Sequence, residues 1–131
     1  MGNFIVNNGL QVSGGTAITG SATISSTLTA TTLVETSAIR YKENIQNLES
    51  FDNIYKLRPV SFDWKSNNNP DIGFIAEEVN ELFPLLVESN EDGVIEGVKY
   101  SKMVTVIVKT LQSQQQQIEE LKQEINTLKN K

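Results

Sequence analysis

Apolar and polar positions follow three different periods along this chain. Residues 9–34 repeat in sixes: Gly-Leu-Gln-Val-Ser-Gly, Gly-Thr-Ala-Ile-Thr-Gly, Ser-Ala-Thr-Ile-Ser-Ser and Thr-Leu-Thr-Ala-Thr-Thr. The second and fourth places hold Leu10/Val12, Thr16/Ile18, Ala22/Ile24 and Leu28/Ala30. A spacing of two sets each pair on one face of a strand. The sixth places, Gly14, Gly20, Ser26 and Thr32, are small or turn-prone. Such a strand cannot bury its face alone. The period therefore predicts a β-solenoid or an intertwined β-fibre made with copies of the same chain. A disordered Ser/Thr/Gly linker is the alternative, but the apolar places keep register through all four units.

The second pattern is mixed. Ile45, Leu48, Phe51, Ile54, Tyr55 and Leu57 recur at threes and fours, which predicts a helix over 43–58, capped at Asn47 or Ser50 and stopped by Pro59. Val60-Ser61-Phe62-Asp63-Trp64 alternates like a strand. Residues 67–71 form a turn, and Ile72-Gly73-Phe74-Ile75 a buried strand in which Gly73 permits a close backbone approach. Residues 76–83 are helical, with Ile75, Val79, Leu82 and Phe83 inward and Pro84 as the stop. Leu85-Leu86-Val87 and residues 94–100 pair as a hairpin around Asn90-Glu91-Asp92-Gly93.

The third pattern is a heptad. Val104, Leu111, Ile118 and Ile125 stand seven apart at a; Ile107, Gln114, Leu121 and Leu128 stand at d. Ser101 is a candidate N-cap. Over 101–111 the apolar residues crowd several faces, which predicts packing on the domain; from 112 onward the narrow stripe predicts a coiled coil. Ile at a with Leu at d leans towards two strands on simple rules, and Gln114 is a polar layer suited to fixing register. The fold class is thus α+β: a repetitive fibre segment (1–36), a small α/β domain (37–100) and a coiled-coil helix (101–131).

Composition narrows the chemistry. The chain has 131 residues and no Cys or His. Disulfides, thiol catalysis and the usual imidazole base are therefore excluded. A net charge of −5 disfavours nucleic acid. No apolar run reaches the roughly 20 residues that span a bilayer, and no signal pattern opens the chain, so no membrane partner is expected. Only the middle, about 65 residues, could bury a core, and a core that small needs help from oligomerisation. Glu77, Glu78 and Glu81 are expected on a solvated helix face, and residues 90–93 lack the twelve-residue calcium pattern. No metal is expected. Phe62 and Trp64 are expected in the core.

The composition changes at Thr36-Ser37-Ala38-Ile39-Arg40-Tyr41-Lys42-Glu43-Asn44. A serine hydroxyl needs a base to become a nucleophile. A lysine can serve where burial or a neighbouring cation favours its neutral form, and Arg40 is a cation two residues from Lys42. A spacing of five between Ser37 and Lys42 is common by chance and does not by itself define a site.

Four motifs add to this. They are Ser37-x-x-Arg40-x-Lys42-Glu43-Asn44-Ile45, Leu57-Arg58-Pro59-Val60-x-Phe62-x-Trp64, Ile72 to Val79, and Gly97-Val98-x-Tyr100-Ser101-Lys102. In this order they resemble the C-terminal intramolecular chaperone domain of phage tail spikes, endosialidases and neck appendage proteins. The hexads ahead of them resemble the end of a phage fibre shaft. The resemblance implies a homotrimer that aligns the β-fibre of its own chain, then cuts itself free at the junction. It implies Ser37 and Lys42 as a catalytic dyad, Arg40 and Glu43 in support, and Thr36-Ser37-Ala38 as the cleavage site. It places the product in a virion assembled in the host cytoplasm, where the released domain stays. The family commonly has Asp directly after the serine; here it is Ala38, which bears on cleavage efficiency. Some members respond to ATP, but no Gly-rich phosphate loop is present and no cofactor is expected to be required. A non-cleaving trimerisation tip, and a receptor-binding tip using residues 66–71, are the other readings.

Overall fold

The computed structural model describes residues 6, 9–49 and 53–131 of the chain. They divide into two units, one ending at Glu43 and one beginning at Asn44.

In the first unit, residues 9–36 form neither strand nor helix. The chain bends at 13–14, 19–20, 25–26 and 31, a recurrence of six that falls on the fifth and sixth places of the hexads. Gly20 lies at one bend with φ 117°, a conformation that costs a residue without a Cβ little. Leu10, Val12, Ile18, Ile24 and Leu28 are all exposed. The hexads thus carry regular bends while their apolar faces stay uncovered within one chain.

The second unit is a small mixed α/β domain with two short antiparallel hairpins and a long C-terminal helix. Strand β1 (Val60–Asp63) pairs with β2 (Pro70–Gly73), and Val60 lies opposite Gly73. The connecting turn is closed by the Asn68 amide donating to the Trp64 carbonyl at 2.7 Å, with Asn68 in the left-handed region at φ 56°. Pro70 is the first residue of its strand, where a missing N–H costs the ladder least. Helix α1 (Ala76–Leu82) follows, then a 3₁₀ turn at Pro84–Leu86. Strands β3 (Val87–Ser89) and β4 (Ile95–Val98) form the second hairpin, with an irregularity at Glu88/Ser89. Its loop is organised by Asn90, whose Oδ1 accepts from the amides of Asp92 (3.0 Å) and Val94 (2.9 Å). Helix α2 (Tyr100–Lys129) ends the chain, about 45 Å long at 1.5 Å per residue.

Val79, Phe83, Leu86, Val87, Met103 and Val106 form the core, flanked by Ile54, Leu57, Phe74, Leu82, Ile95 and Val98. Val79 is fully buried. One stripe of α2, Met103 and Val106 continuing through half-buried Thr110 and Ser113, faces this core. Every residue from Gln114 onward is exposed.

Several sequence expectations change. No helix forms over the described part of 43–58; a 3₁₀ turn at Ile54–Lys56 stands alone. Asn44 takes φ 52°, outside the helical region, and Asn47 and Asn53 add poor helix formers to the same stretch. Ile54 and Leu57 still reach the core from the single turn. Ser50 and Phe51 lie outside the described residues. Leu85 and Leu86 belong to the turn that Pro84 opens, because proline fixes a turn-compatible φ, and the strand begins at Val87. Helix α2 starts at Tyr100 after Lys99, with no side-chain cap, so Ser101 is not its N-cap. The buried strand expected over 72–75 runs instead over Pro70–Gly73 with Ile72 exposed, and Ile75 precedes α1 and is partly exposed. Trp64 is half-exposed, because its indole N–H reaches Asp71 on the opposite strand.

Candidate functional site

The junction folds back on itself through local backbone bonds. Ala38 is extended (φ −66°, ψ 145°), and its carbonyl accepts from the Tyr41 amide at 3.0 Å. The Ile39 carbonyl accepts from the Lys42 amide, also at 3.0 Å. Residues Ile39–Tyr41 thereby make one 3₁₀ turn. This turn brings Lys42 to Ser37: Nζ donates to Oγ at 2.8 Å. Arg40 places its guanidinium carbon 4.5 Å from the centroid of the Tyr41 ring, a cation–π contact. Glu43 makes no ion pair among the described residues. Thr36, Ser37, Arg40, Lys42 and Glu43 are exposed and Ala38 is half-buried.

A hydroxyl and an amine at 2.8 Å are within proton-transfer reach. A nucleophilic serine needs its own proton to pass to a neutral amine.

The other motif residues contact one another in the second unit. Arg58 forms a two-point pair with Glu78, Nε to Oε2 at 3.2 Å and Nη2 to Oε1 at 2.5 Å, which ties the residue before Pro59 to α1. Glu78 hydrogen-bonds and attracts the guanidinium, so Arg58 holds its proton more tightly than an ordinary arginine. The ion pair takes Glu78 out of the purely solvated set that its helix position suggests. Phe62 and Trp64 meet edge to face at 5.1 Å. Trp64 Nε1 donates to Asp71 Oδ2 at 3.0 Å and the Ile72 amide donates to Oδ1 at 2.8 Å, and these two bonds hold the Asp71 carboxyl below its ordinary range. Lys99 Nζ lies 2.6 Å from Glu88 Oε2 and lowers that carboxyl likewise. The Tyr100 hydroxyl accepts from the Phe74 amide at 3.0 Å. A Cβ at Gly73 would fall 2.6 Å from that hydroxyl, so the expected close approach at Gly73 is made by the Tyr100 side chain.

The Arg58–Glu78 pair and the Tyr100–Phe74 bond were missed by sequence reasoning. Their partners lie 20 and 26 residues apart, beyond any local period. The charged pair Arg58/Glu78, each beside an apolar run, was the available signal.

Residues 37–88 match the family described as chaperone of endosialidase. The match starts on the serine of the junction and runs to β3. It agrees with the sequence resemblance and supports a chaperone role. The hexads and α2 lie outside the matched chaperone-of-endosialidase segment. No curated protein matches the chain.

Among the described residues no group of three acidic side chains is placed to hold a metal. No helix there is long and apolar enough to cross a membrane. The heptad stripe is uncovered: Val104, Ile107, Leu111, Ile118, Leu121, Ile125 and Leu128 are each between 46 and 66% exposed. Beside its first turns, Leu48, Val104 and Val108 help line an open groove of about 410 Å³.

Proposed function

We propose that this chain joins the end of a homotrimeric phage fibre to the chaperone that assembles it. Three copies associate through the heptad face of α2 and their small domains. The association aligns three hexad segments, whose apolar places then cover one another in a triple-stranded β-fibre. Self-cleavage at the junction follows, and the chaperone leaves. The carrying observation is the 2.8 Å Lys42–Ser37 hydrogen bond. It stands where the six-residue period ends and the matched family segment begins.

In this reading Ser37 is the nucleophile and Lys42 its base. The neutral lysine takes the serine proton as Oγ adds to the carbonyl carbon of an adjoining peptide. The C–N bond breaks, and the lysine returns the proton to the leaving nitrogen. Water then hydrolyses the ester. Withdrawing water from an ammonium favours the uncharged form that this step needs. Assembly of three exposed junctions into one interface does this, so cutting waits for folding. Arg40, held on the Tyr41 ring, supplies a second cation beside the pair, and Glu43 balances that charge in the assembled junction. The virion is the destination of the fibre, and the freed domain stays in the host cytoplasm.

A denaturing gel of the folded chain tests this. Cleavage gives two fragments divided at Ser37, 36 residues preceding it in the chain of 131. Ser37→Ala gives one intact band. Ala38 favours a slower cut, so Ala38→Asp accelerates it. A single intact band from both the natural chain and Ala38→Asp overturns self-cleavage and leaves a permanently attached trimerisation tip.

A further inference from the structure

The a and d places of α2 are apolar except one. Gln114 occupies d between Leu111 and Ile118 and is exposed in the single chain. Its neighbours are committed elsewhere: Gln115 Nε2 donates to Glu119 Oε1 at 2.8 Å and Gln116 Nε2 to Glu120 Oε1 at 2.9 Å. Gln114 makes no side-chain hydrogen bond among the described residues. The heptad 111–117 contains no charged residue at all. The nearest following carboxylates, Glu119 and Glu120, fall at b and c, away from the seam.

In a parallel trimer the three d side chains of this layer point at one axis. Each amide brings two N–H donors and one carbonyl. A ring in which each Nε2 donates to the next Oε1 gives every carbonyl one accepted bond, leaving it one lone pair, and uses one N–H per chain. Three N–H groups then remain, converging between the apolar Leu111 and Ile118 layers, where an unpaired donor is costly. A water on the axis offers two lone pairs to three donors. A cation would take its ligands from carbonyl oxygens that already accept a bond, and would leave the three N–H groups unpaired. A small spherical anion accepts from all three, with no carboxylate of the same heptad to repel it.

We propose that Gln114 from three chains forms an axial site for a small monovalent anion of the halide type. The site rests on the trimer proposed above. The test is urea unfolding of the full chain, kept uncut by Ser37→Ala, at fixed ionic strength, with chloride exchanged stepwise for gluconate, which is too large to enter the core. Binding to the folded trimer alone lowers the unfolding constant by up to about tenfold for each tenfold rise in free chloride. The Gln114→Leu trimer loses that dependence. A flat response in the natural chain, or equal slopes in both proteins, overturns the anion site and leaves the trimer standing. A monomer or dimer by light scattering with Gln114 in place overturns the trimer itself.

Discussion

Lys42 Nζ donates to Ser37 Oγ across 2.8 Å, through a turn that two backbone hydrogen bonds close. The contact is internal to one chain and needs no partner to form. What a partner adds in the proposed mechanism is the removal of water from the amine. Lys42→Met and Lys42→Arg should therefore both stop cutting, by at least about 10²-fold, since neither offers a neutral amine as base. A time course on a denaturing gel checks this. Cutting by Lys42→Arg at the natural rate would remove the lysine from the mechanism.

Gly73 and Tyr100 lock the first hairpin to the start of α2. A methyl at 73 meets the tyrosine hydroxyl at 2.6 Å and dislodges it from the Phe74 amide. Gly73→Ala should cost about 1–3 kcal/mol, as overpacking does. Tyr100→Phe should cost about 1 kcal/mol for its hydrogen bond. Because the two residues share one contact, the double variant should lose less than the sum. Urea unfolding of the four proteins measures the coupling; strict additivity would contradict the contact.

Asp71 makes stability pH-dependent. Its folded carboxyl lies below its ordinary value because Trp64 and the Ile72 amide donate to it. Its contribution is present above the unfolded value of about 3.9 and disappears as pH falls through the folded one. Glu88, lowered by Lys99, acts in the same direction. Both are solvent-exposed, so the effect is modest. Asp71→Asn should flatten part of the acid limb of the melting temperature against pH. A carboxyl titration by NMR should place the Asp71 midpoint below the unfolded value. A midpoint above it would refute the arrangement.

Ile118 and Leu121 lie past Ser113, the last half-buried residue of α2, and are exposed in one chain. Ile118→Asp should convert the proposed trimer to a monomer by light scattering at micromolar concentration, because three carboxylates cannot share one dry layer. Its far-ultraviolet circular dichroism should lose helix from the C-terminal half of α2, since a solvated helix of that length is marginal alone. An unchanged trimer would show that the heptad face is not the interface.

The sequence by itself determined the three periods, the strand at 60–63, the turn at 90–93 and the stop of α1 at Pro84. Local chemistry suffices for these. Six-residue bends follow small residues, the Asn90 loop follows from an amide side chain that reaches its own backbone, and α2 follows from a stretch with no helix breaker. The Ser37–Lys42 pair was legible only through the family resemblance, because a spacing of five is common by chance. The tertiary structure decided what depends on distant partners. The apolar stripe over 45–57 looked helical, yet the described part gives one short turn, because Ile54 and Leu57 reach the core without a helix. Trp64 looked like core and is held half-exposed by Asp71 across the hairpin. Glu78 looked solvated and is paired with Arg58, and the space beside Gly73 is filled by a tyrosine 27 positions later. Periods are set by neighbours in the chain. Pairings across 20 or more residues are set by packing, which no local pattern records.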